Sequence, residues 1–212
     1  MINIEQEIEK YILEHSDKED LLLAELYRET QLKVLNPRMI SGFIQGKLLE
    51  FISKMVNPQQ ILEIGTYTGY SAICLAKGLK PNGQLHTIEI NDELESISKK
   101  YFKKAGVENQ VKTYTGNAID IIPLINETFD IVFIDGEKKE YIPYYKIVFE
   151  KVNKKGIIIV DNVLWNGKIF NTNDQDQSTL SIKKFNELIK NDTRIEKLIL
   201  PIRDGIMLLI KK

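Results

Sequence analysis

Short apolar segments alternate with amphipathic ones from about residue 60 onward, and this alternation limits the fold more than any other feature of the chain. Five apolar segments have the length of buried strands, at residues 61–64, 84–90, 111–114, 129–134 and 156–160. The stretches between them, near residues 71–79, 92–105, 118–125 and 141–152, have apolar side chains at helical spacing. This order of elements predicts a mainly parallel sheet with helices on both faces.

The C-terminal part departs from this pattern. A helix is expected near residues 180–190, followed by strands at residues 196–200 and 205–210. Only residues 201–204 link these two strands, which is too short for a parallel crossover, so the pair is expected to form an antiparallel hairpin. We therefore predict one α/β domain whose seven-stranded sheet is parallel apart from the last strand.

The first 57 residues are predicted to be helical and to precede the α/β core of residues 58–212 within the same domain. Apolar side chains share one face of the first helix, namely those of Ile4, Ile8, Tyr11 and Ile12. A second helix is expected to begin after Ser16 or Asp17 and to end near Arg28. Pro37 is expected to open a third helix over residues 38–56.

The charge balance and the single cysteine bear on the environment of the protein. Lys and Arg total 29 against 30 Asp and Glu, so no bulk field attracts the chain to nucleic acid or to an anionic membrane. The longest apolar runs fall far below the roughly 20 residues that a bilayer span needs. Glu5, Glu7 and Glu9 stand where a signal peptide needs basic residues, and Cys74 has no disulfide partner. We expect a cytoplasmic protein without a membrane segment.

A glycine-containing loop follows the first predicted strand and leads directly into a helix. Gly65 and Gly69 let the backbone approach a ligand, although their spacing is not that of a dinucleotide site and a tight turn alone explains two glycines. Glu63 ends the strand where a carboxylate can meet a ligand ammonium. Glu89 closes the second strand, where it can accept both hydroxyls of a ribose. The pattern indicates a ligand that contains ribose and needs no phosphate.

Polar side chains follow the fourth and fifth strands, which are expected to be neighbours. Asp135 ends one strand, and Asp161 and Asn162 end the other. Two carboxylates and an amide oxygen suit Mg²⁺ or Ca²⁺, whereas His15 and His86 fall elsewhere and Cys74 stands alone. Helix capping is the structural alternative for Asp161 and Asn162.

Residues 39–212 resemble the class I S-adenosylmethionine methyltransferases of the cation-dependent catechol and caffeoyl-CoA O-methyltransferase type. The resemblance lies in residues 62–72, in residues 133–135 with Lys138 and Tyr141, in residues 161–167 and in residues 204–206. It implies a Rossmann-like fold, S-adenosylmethionine as methyl donor, and Mg²⁺ as the cation, with Mn²⁺ or Ca²⁺ as alternatives. It also implies a small aromatic diol as acceptor and a homodimer built partly by the N-terminal helices.

The resemblance assigns roles to individual residues. The implied cofactor residues are Met39, Ser41, Glu63, Gly65, Tyr67, Ser71, Glu89, Asn117, Ala118 and Asp135. Among them, Glu89 is implied to hold the ribose, while Asn117 and Ala118 flank the adenine. The implied cation ligands are Asp135, Asp161 and Asn162.

The implied chemistry is activation of a phenolic hydroxyl. A cation on the phenol oxygen stabilises the oxyanion, and Lys138 can take up the proton because a lysine pKa falls readily near a cation in a partly dry site. Trp165 is expected to contact the aromatic acceptor, or else to be a packing residue. The usual family sequence Asp-Ala-Asp-Lys is here Asp135-Gly136-Glu137-Lys138, which keeps the ligand and the lysine.

Two other functions remain open at this point. Lysines 99, 100, 103 and 104 cluster on one predicted helix, and some bacterial members of the superfamily methylate a hydroxylated uridine of tRNA. That alternative keeps the cofactor and cation sites and changes only the acceptor. A regulatory module that binds nucleotide without catalysis is the third possibility, but it would not need a cation site and a base together.

Overall fold

The computed structural model describes residues 4–212 of the chain. The helices are α1 Ile4–Glu14, α2 Leu21–Lys33, α3 Gly42–Val56, α4 Tyr70–Ala76, α5 Glu95–Lys104, α6 Ala118–Ile121, α7 Tyr141–Lys151 and α8 Gln177–Asn191. The strands are β1 Gln60–Ile64, β2 Gln84–Glu89, β3 Val111–Thr115, β4 Phe129–Ile134, β5 Val152–Val160, β6 Ile195–Leu200 and β7 Ile206–Lys211.

The seven strands form one sheet in the order β3-β2-β1-β4-β5-β7-β6. Strands β1 to β5 pair in parallel, and β7 is antiparallel to both of its neighbours. The predicted sheet and its C-terminal hairpin are confirmed. In register, Ile64 pairs with Ile134 and Ile134 pairs with Val160. The residues that follow these three strands therefore start side by side at one edge of the sheet.

The sheet has an apolar core on each face. Along β4, Val132 and Ile134 belong to the core under α7 and α8, whereas Ile131 and Phe133 belong to the core under the N-terminal helices and α4. All four side chains are fully buried. This alternation follows from the two-residue period of a strand, and burial on both faces explains why the central strands are mostly apolar.

Several boundaries differ from the sequence prediction; helix α2, for example, ends at Lys33 and not near Arg28. Helix α2 begins at Leu21 because the Asp20 carboxylate accepts a hydrogen bond from the Leu22 amide, so neither Ser16 nor Asp17 is its cap. The third helix is interrupted: residues 37–39 form a 3-10 turn, Ile40 is extended, and α3 starts at Gly42. Strand β5 begins at Val152, earlier than expected, because its first residues pair with β4 although two exposed lysines follow.

Helix α1 leaves apolar side chains exposed. Ile8 is 54% exposed and Tyr11 is 62% exposed, and Ile12 and Leu13 are also open to solvent. The side chain of Ile4, which was expected on the same face, lies outside the described part of the chain. Among the helices that the structure describes, none combines the length and the apolar character that a membrane span requires.

Candidate active site

A cavity of about 1640 Å³ lies at the carboxyl edge of the central strands. Most residues that the sequence indicated line this cavity, namely Met39, Gly65, Tyr67, Glu89, Asn117, Ala118, Asp135, Lys138, Asp161, Asn162 and Trp165. Ser41, Glu63 and Ser71 are buried beside it and do not form its wall. The fold has thus brought together residues from six separate parts of the chain.

The glycine loop lies directly against the end of β4. Gly65 has φ of +97°, and a Cβ atom there would stand 2.3 Å from the carbonyl oxygen of Asp135. Only a residue without a side chain fits this conformation and this contact. Gly65 therefore keeps the cofactor loop and the first predicted cation ligand in contact.

Glu89 is held in a fixed orientation at the wall of the cavity. Its Oε2 accepts a hydrogen bond of 2.7 Å from the Tyr67 amide, and its Oε1 accepts one of 3.0 Å from the Asn91 amide. A carboxylate has about four acceptor positions, so each oxygen keeps capacity for one further donor. A diol that donates from two adjacent hydroxyls fits this arrangement.

Glu63 is fully buried beneath the same loop. Its Oε2 accepts a hydrogen bond of 2.6 Å from Thr87, while its Oε1 has no partner within the described residues. Burial raises the pKa of Glu63 to about 8, and the charges of Asp135 and Glu89 add to the effect. An unpaired buried oxygen of this kind is suited to a cationic donor, although Glu63 itself does not line the cavity.

Asn117 and Ala118 begin helix α6 at the other end of the cavity. The Asn117 side-chain oxygen accepts a hydrogen bond of 2.8 Å from the Ile119 amide and so caps the helix. Ala118 is buried in the core that faces α7. Both residues line the cavity.

Asp161 is the most constrained acidic residue of the site. Its Oδ1 accepts a hydrogen bond of 2.7 Å from the Asn162 amide, and its Oδ2 accepts one of 2.7 Å from the Gln45 side chain. Its backbone carbonyl accepts a third, of 2.9 Å, from the Tyr141 hydroxyl. Burial, and then the charge of Asp135, raise the pKa of Asp161 to about 7. Without a cation, the buried Asp161 carboxylate therefore takes up a proton more readily than an exposed aspartate does.

The donor set fits a hard divalent cation. Asn162 has φ of +60°, and its side-chain nitrogen lies 3.5 Å from Asp204. Within residues 4–212, no group of three or more Asp, Glu, His or Cys side chains is arranged to hold a metal ion. The predicted set has only two such residues and relies on an amide oxygen as its third ligand. The mutual repulsion of Asp135 and Asp161 is what a bound cation would relieve.

Lys138 lies between Asp135 and the ring of Tyr141. Its Nζ donates to Asp135 Oδ1 at 3.0 Å and to the Gly136 carbonyl at 3.1 Å, and it stands 5.4 Å from the Tyr141 ring centroid. Burial favours the neutral amine, but the charge of Asp135, the hydrogen bond to it and the adjacent Tyr141 together outweigh burial and raise the pKa of Lys138 above its ordinary value. The expected lowering of this pKa was made for a site that holds a cation, and it stays a prediction.

The two residues that differ from the family pattern have structural roles. The Glu137 carboxylate accepts a hydrogen bond of 3.4 Å from the Lys139 amide and caps the short turn that carries Lys138. A Cβ atom on Gly136 would stand 3.0 Å from both Ile64 and the Tyr144 ring. Glycine at this position lets Tyr144 pack closely against the end of β1.

Trp165 is half-buried at the edge of the cavity and has φ of +48°. The polar segment that follows it, residues 166–178, contributes Ser178 to the cavity. Much of that loop is ordered as a 3-10 segment, Trp165–Phe170, and helix α8 begins at Gln177. Trp165 can therefore provide an aromatic surface for a bound ring.

Sequence reasoning missed two residues that contact this site. Gln45 is fully buried on α3 and donates to Asp161, and Arg203, in the link between β6 and β7, donates to Gln45. A single amide among the apolar residues of a helix was a possible signal for Gln45. No local pattern marks Arg203.

Comparison with known proteins gives an independent line of evidence. A family model described as O-methyltransferase matches residues 13–212. The chain is 33% identical over 177 residues to a catechol O-methyltransferase of Niastella koreensis, with 79% of this chain and 80% of the relative covered. It is 32% identical over 213 residues to caffeoyl-CoA O-methyltransferase 5 of Nicotiana tabacum, with 94% and 88% covered. The crystal structure of an O-methyltransferase from Bacillus cereus in complex with S-adenosylhomocysteine matches with a TM-score of 0.89 at 28% identity and covers 97% of both chains.

Proposed function

This chain belongs to the O-methyltransferase family and is an S-adenosylmethionine-dependent methyltransferase, and from this premise we propose that a divalent cation assists it. We propose further that its acceptor is a hydroxyl of a small catechol-like aromatic compound. The observation that carries the proposal is the shared cavity: Asp135, Asp161, Asn162 and Lys138 line it together with the glycine loop and Glu89.

The cofactor is proposed to lie along the glycine loop. Glu89 would accept the two ribose hydroxyls, since its carboxylate is already oriented by two backbone amides. The adenine would lie against Asn117 and Ala118, and the methionyl part would lie near Gly65 and Met39. The unpaired oxygen of Glu63 supports a cationic group nearby.

Asp135, Asp161 and Asn162 are the proposed cation ligands. When bound, a divalent cation supplies charge that stabilises the phenolate form of the acceptor at neutral pH. The three side chains come from the ends of two paired strands, so the sheet fixes their relative positions. Asp161 is further held by Gln45 and by the Asn162 amide.

Lys138 is the proposed base. Its Nζ would take up the proton of the acceptor hydroxyl, which requires the neutral amine. Burial by itself lowers the pKa of Lys138, and the charge of Asp135 is the main effect that opposes burial. The amine therefore becomes a base when the charge of Asp135 is compensated.

The acceptor is proposed from the relatives and from the site. The relatives named above include a catechol and a caffeoyl-CoA O-methyltransferase, whose names both indicate aromatic diol chemistry. In this chain, Trp165 offers a half-buried aromatic surface next to Asn162. A flat aromatic ring matches that surface better than a flexible aliphatic alcohol does.

The tRNA alternative depended on the lysine cluster, and the structure pairs most of that cluster with acidic residues. Lys99 is ion-paired with Glu95, Lys100 with Glu29, and Lys104 with Glu25. These pairs reduce the positive charge available for phosphate contacts. They favour the small aromatic acceptor over tRNA.

The N-terminal helices are the proposed dimer surface of a cytoplasmic enzyme. The exposed apolar side chains of α1 are of the kind that a second copy of the chain would cover. Light scattering coupled to size exclusion chromatography tests this proposal, and a monomer mass at micromolar concentration would contradict it.

Labelled methyl transfer tests the proposed acceptor and the cation together. The enzyme is incubated with labelled S-adenosylmethionine and either caffeate or hydroxyuridine-containing tRNA, each with Mg²⁺ and with EDTA. We expect chelator-sensitive methylation of caffeate alone. Methylation that persists in EDTA and in Asp161→Ala would contradict the cation, and methylation of tRNA alone would contradict the acceptor.

A further inference from the structure

We propose that Gln45 is a positioning residue that fixes the Asp161 carboxylate for cation binding, and that Arg203 in turn fixes Gln45. This inference rests on the proposed cation site. Gln45 lies on α3, in the N-terminal part of the chain, and Arg203 lies near the C-terminus. The three residues form a continuous hydrogen-bonded line from the hairpin link to the site.

The Gln45 side chain has no access to solvent, and both ends of its amide have a partner. Its Nε2 donates to Asp161 Oδ2 at 2.7 Å, and its Oε1 lies 3.4 Å from the guanidinium Nη1 of Arg203. A guanidinium can only donate, so Arg203 requires the oxygen end of the amide. The nitrogen end must then face Asp161, which makes Gln45 an obligate donor to that carboxylate.

This hydrogen bond sets the rotation of the Asp161 carboxylate. Gln45 holds one oxygen and the Asn162 amide holds the other, so rotation of the carboxylate plane breaks one of the two bonds. Each oxygen keeps acceptor capacity toward the cavity. Hydrogen bonds of this kind around a ligating carboxylate commonly change metal affinity by about 10- to 100-fold when they are removed.

Arg203 has a second set of partners that Gln45 lacks. Its guanidinium donates to the backbone carbonyls of Arg38 at 3.2 Å and Ile40 at 2.7 Å, and also to that of Ser41. These carbonyls belong to the segment that carries Met39 to the cavity. Replacement of Gln45 should therefore weaken cation binding alone, whereas replacement of Arg203 should weaken both cation binding and cofactor binding.

The test replaces Gln45 with methionine, which keeps the length of the side chain and removes its donor and acceptor. Mn²⁺ binding is measured by electron paramagnetic resonance of free Mn²⁺ in the presence of S-adenosylhomocysteine, whose own affinity is measured by calorimetry. We expect Gln45→Met to weaken Mn²⁺ binding about 10- to 100-fold and to change S-adenosylhomocysteine affinity by less than about threefold. Gln59→Met is the matched control, because Gln59 donates to the Asn82 carbonyl outside the cavity.

Arg203→Lys is a second variant, and it still tests the positioning role if Gln45→Met does not fold. A lysine keeps the charge but cannot reach the same set of acceptors, so we expect weaker binding of both Mn²⁺ and S-adenosylhomocysteine. Unchanged Mn²⁺ affinity in the folded variants would overturn the positioning role. Absence of Mn²⁺ binding in the wild-type protein would instead overturn the proposed cation site, so the two failures are distinct.

Discussion

Replacement of Asp161 by asparagine should stabilise the cation-free protein at pH 8 while abolishing its cation binding. Asp161 is buried, and its carboxylate stands near that of Asp135. Burial and this neighbouring charge make the ionised form costly in the folded state. Asparagine has nearly the same shape and no charge, so it removes that cost.

The magnitude follows from the pKa of Asp161, which rises from 3.8 to about 7 on folding. Because the pKa is raised, folding favours the protonated form: the cost is absent well below pH 3.8 and complete above pH 7. At about 1.4 kcal/mol per pKa unit, the cost is about 4 kcal/mol at pH 8 and about 2 kcal/mol at pH 5. Asparagine has one oxygen and cannot accept from both Gln45 and the Asn162 amide, which costs about 1 to 3 kcal/mol at every pH.

The assay is urea unfolding of both proteins in EDTA at pH 5 and at pH 8, with circular dichroism as the signal that monitors unfolding. Relative to wild type, the free energy of unfolding of Asp161→Asn should be about 2 kcal/mol higher at pH 8 than at pH 5, so the variant is relatively more stable at pH 8. The hydrogen bond that the neutral asparagine loses cancels in this comparison, because the part that depends on ionisation is already contained in the pKa of Asp161. A stability difference that is the same at both pH values would refute the reasoning, as would stabilisation of Asp161→Asn by added Mg²⁺.

Three further predictions concern other parts of the site. Glu89→Ala should weaken S-adenosylhomocysteine binding about 10- to 100-fold in calorimetry, because hydrogen bonds to a charged group contribute about 1.5 to 3 kcal/mol; unchanged affinity would exclude Glu89 as the ribose acceptor. Lys138→Met should lower kcat about 10²- to 10⁴-fold and leave cofactor affinity intact, and a pH profile of kcat identical to that of wild type would argue against a base role. Gly65→Ala should destabilise the protein to urea by more than Gly106→Ala, since a Cβ at Gly65 meets the Asp135 carbonyl at 2.3 Å while Gly106 has open space at a similar φ. Equal losses in these two glycine variants would show that backbone strain alone, about 1 to 3 kcal/mol, decides the effect.

The sequence predicted the sheet well because its central strands are mostly buried on both faces and therefore mostly apolar. It predicted the ends of the elements less well, since these depend on single contacts. Asp17 and Asp20 are both suitable caps by residue type, and only the hydrogen bond from the Leu22 amide selects Asp20. The first residues of β5 were not predicted as strand, because Lys154 and Lys155 face solvent and interrupt the apolar pattern.

In the candidate site, too, some features were predictable from the sequence and others were not. Asp135 and Asp161 were predictable together because parallel strands bring their carboxyl ends to one edge of the sheet, and the sequence places an acidic residue directly after each strand. The pKa of Lys138 was not predictable, because it depends on the distance between its amine and Asp135 and on the burial of both groups.

The sequence by itself determined the fold class, through the order of apolar and amphipathic segments along the chain. It also predicted the proposed cofactor loop and cation ligands, because each of these lies within a short stretch of chain. Only the tertiary structure decided what holds those ligands. Gln45 is 116 residues from Asp161 and 158 residues from Arg203. No local propensity or spacing links residues so far apart, so their hydrogen bonds exist only after α3 and the C-terminal hairpin have packed at the same edge of the sheet.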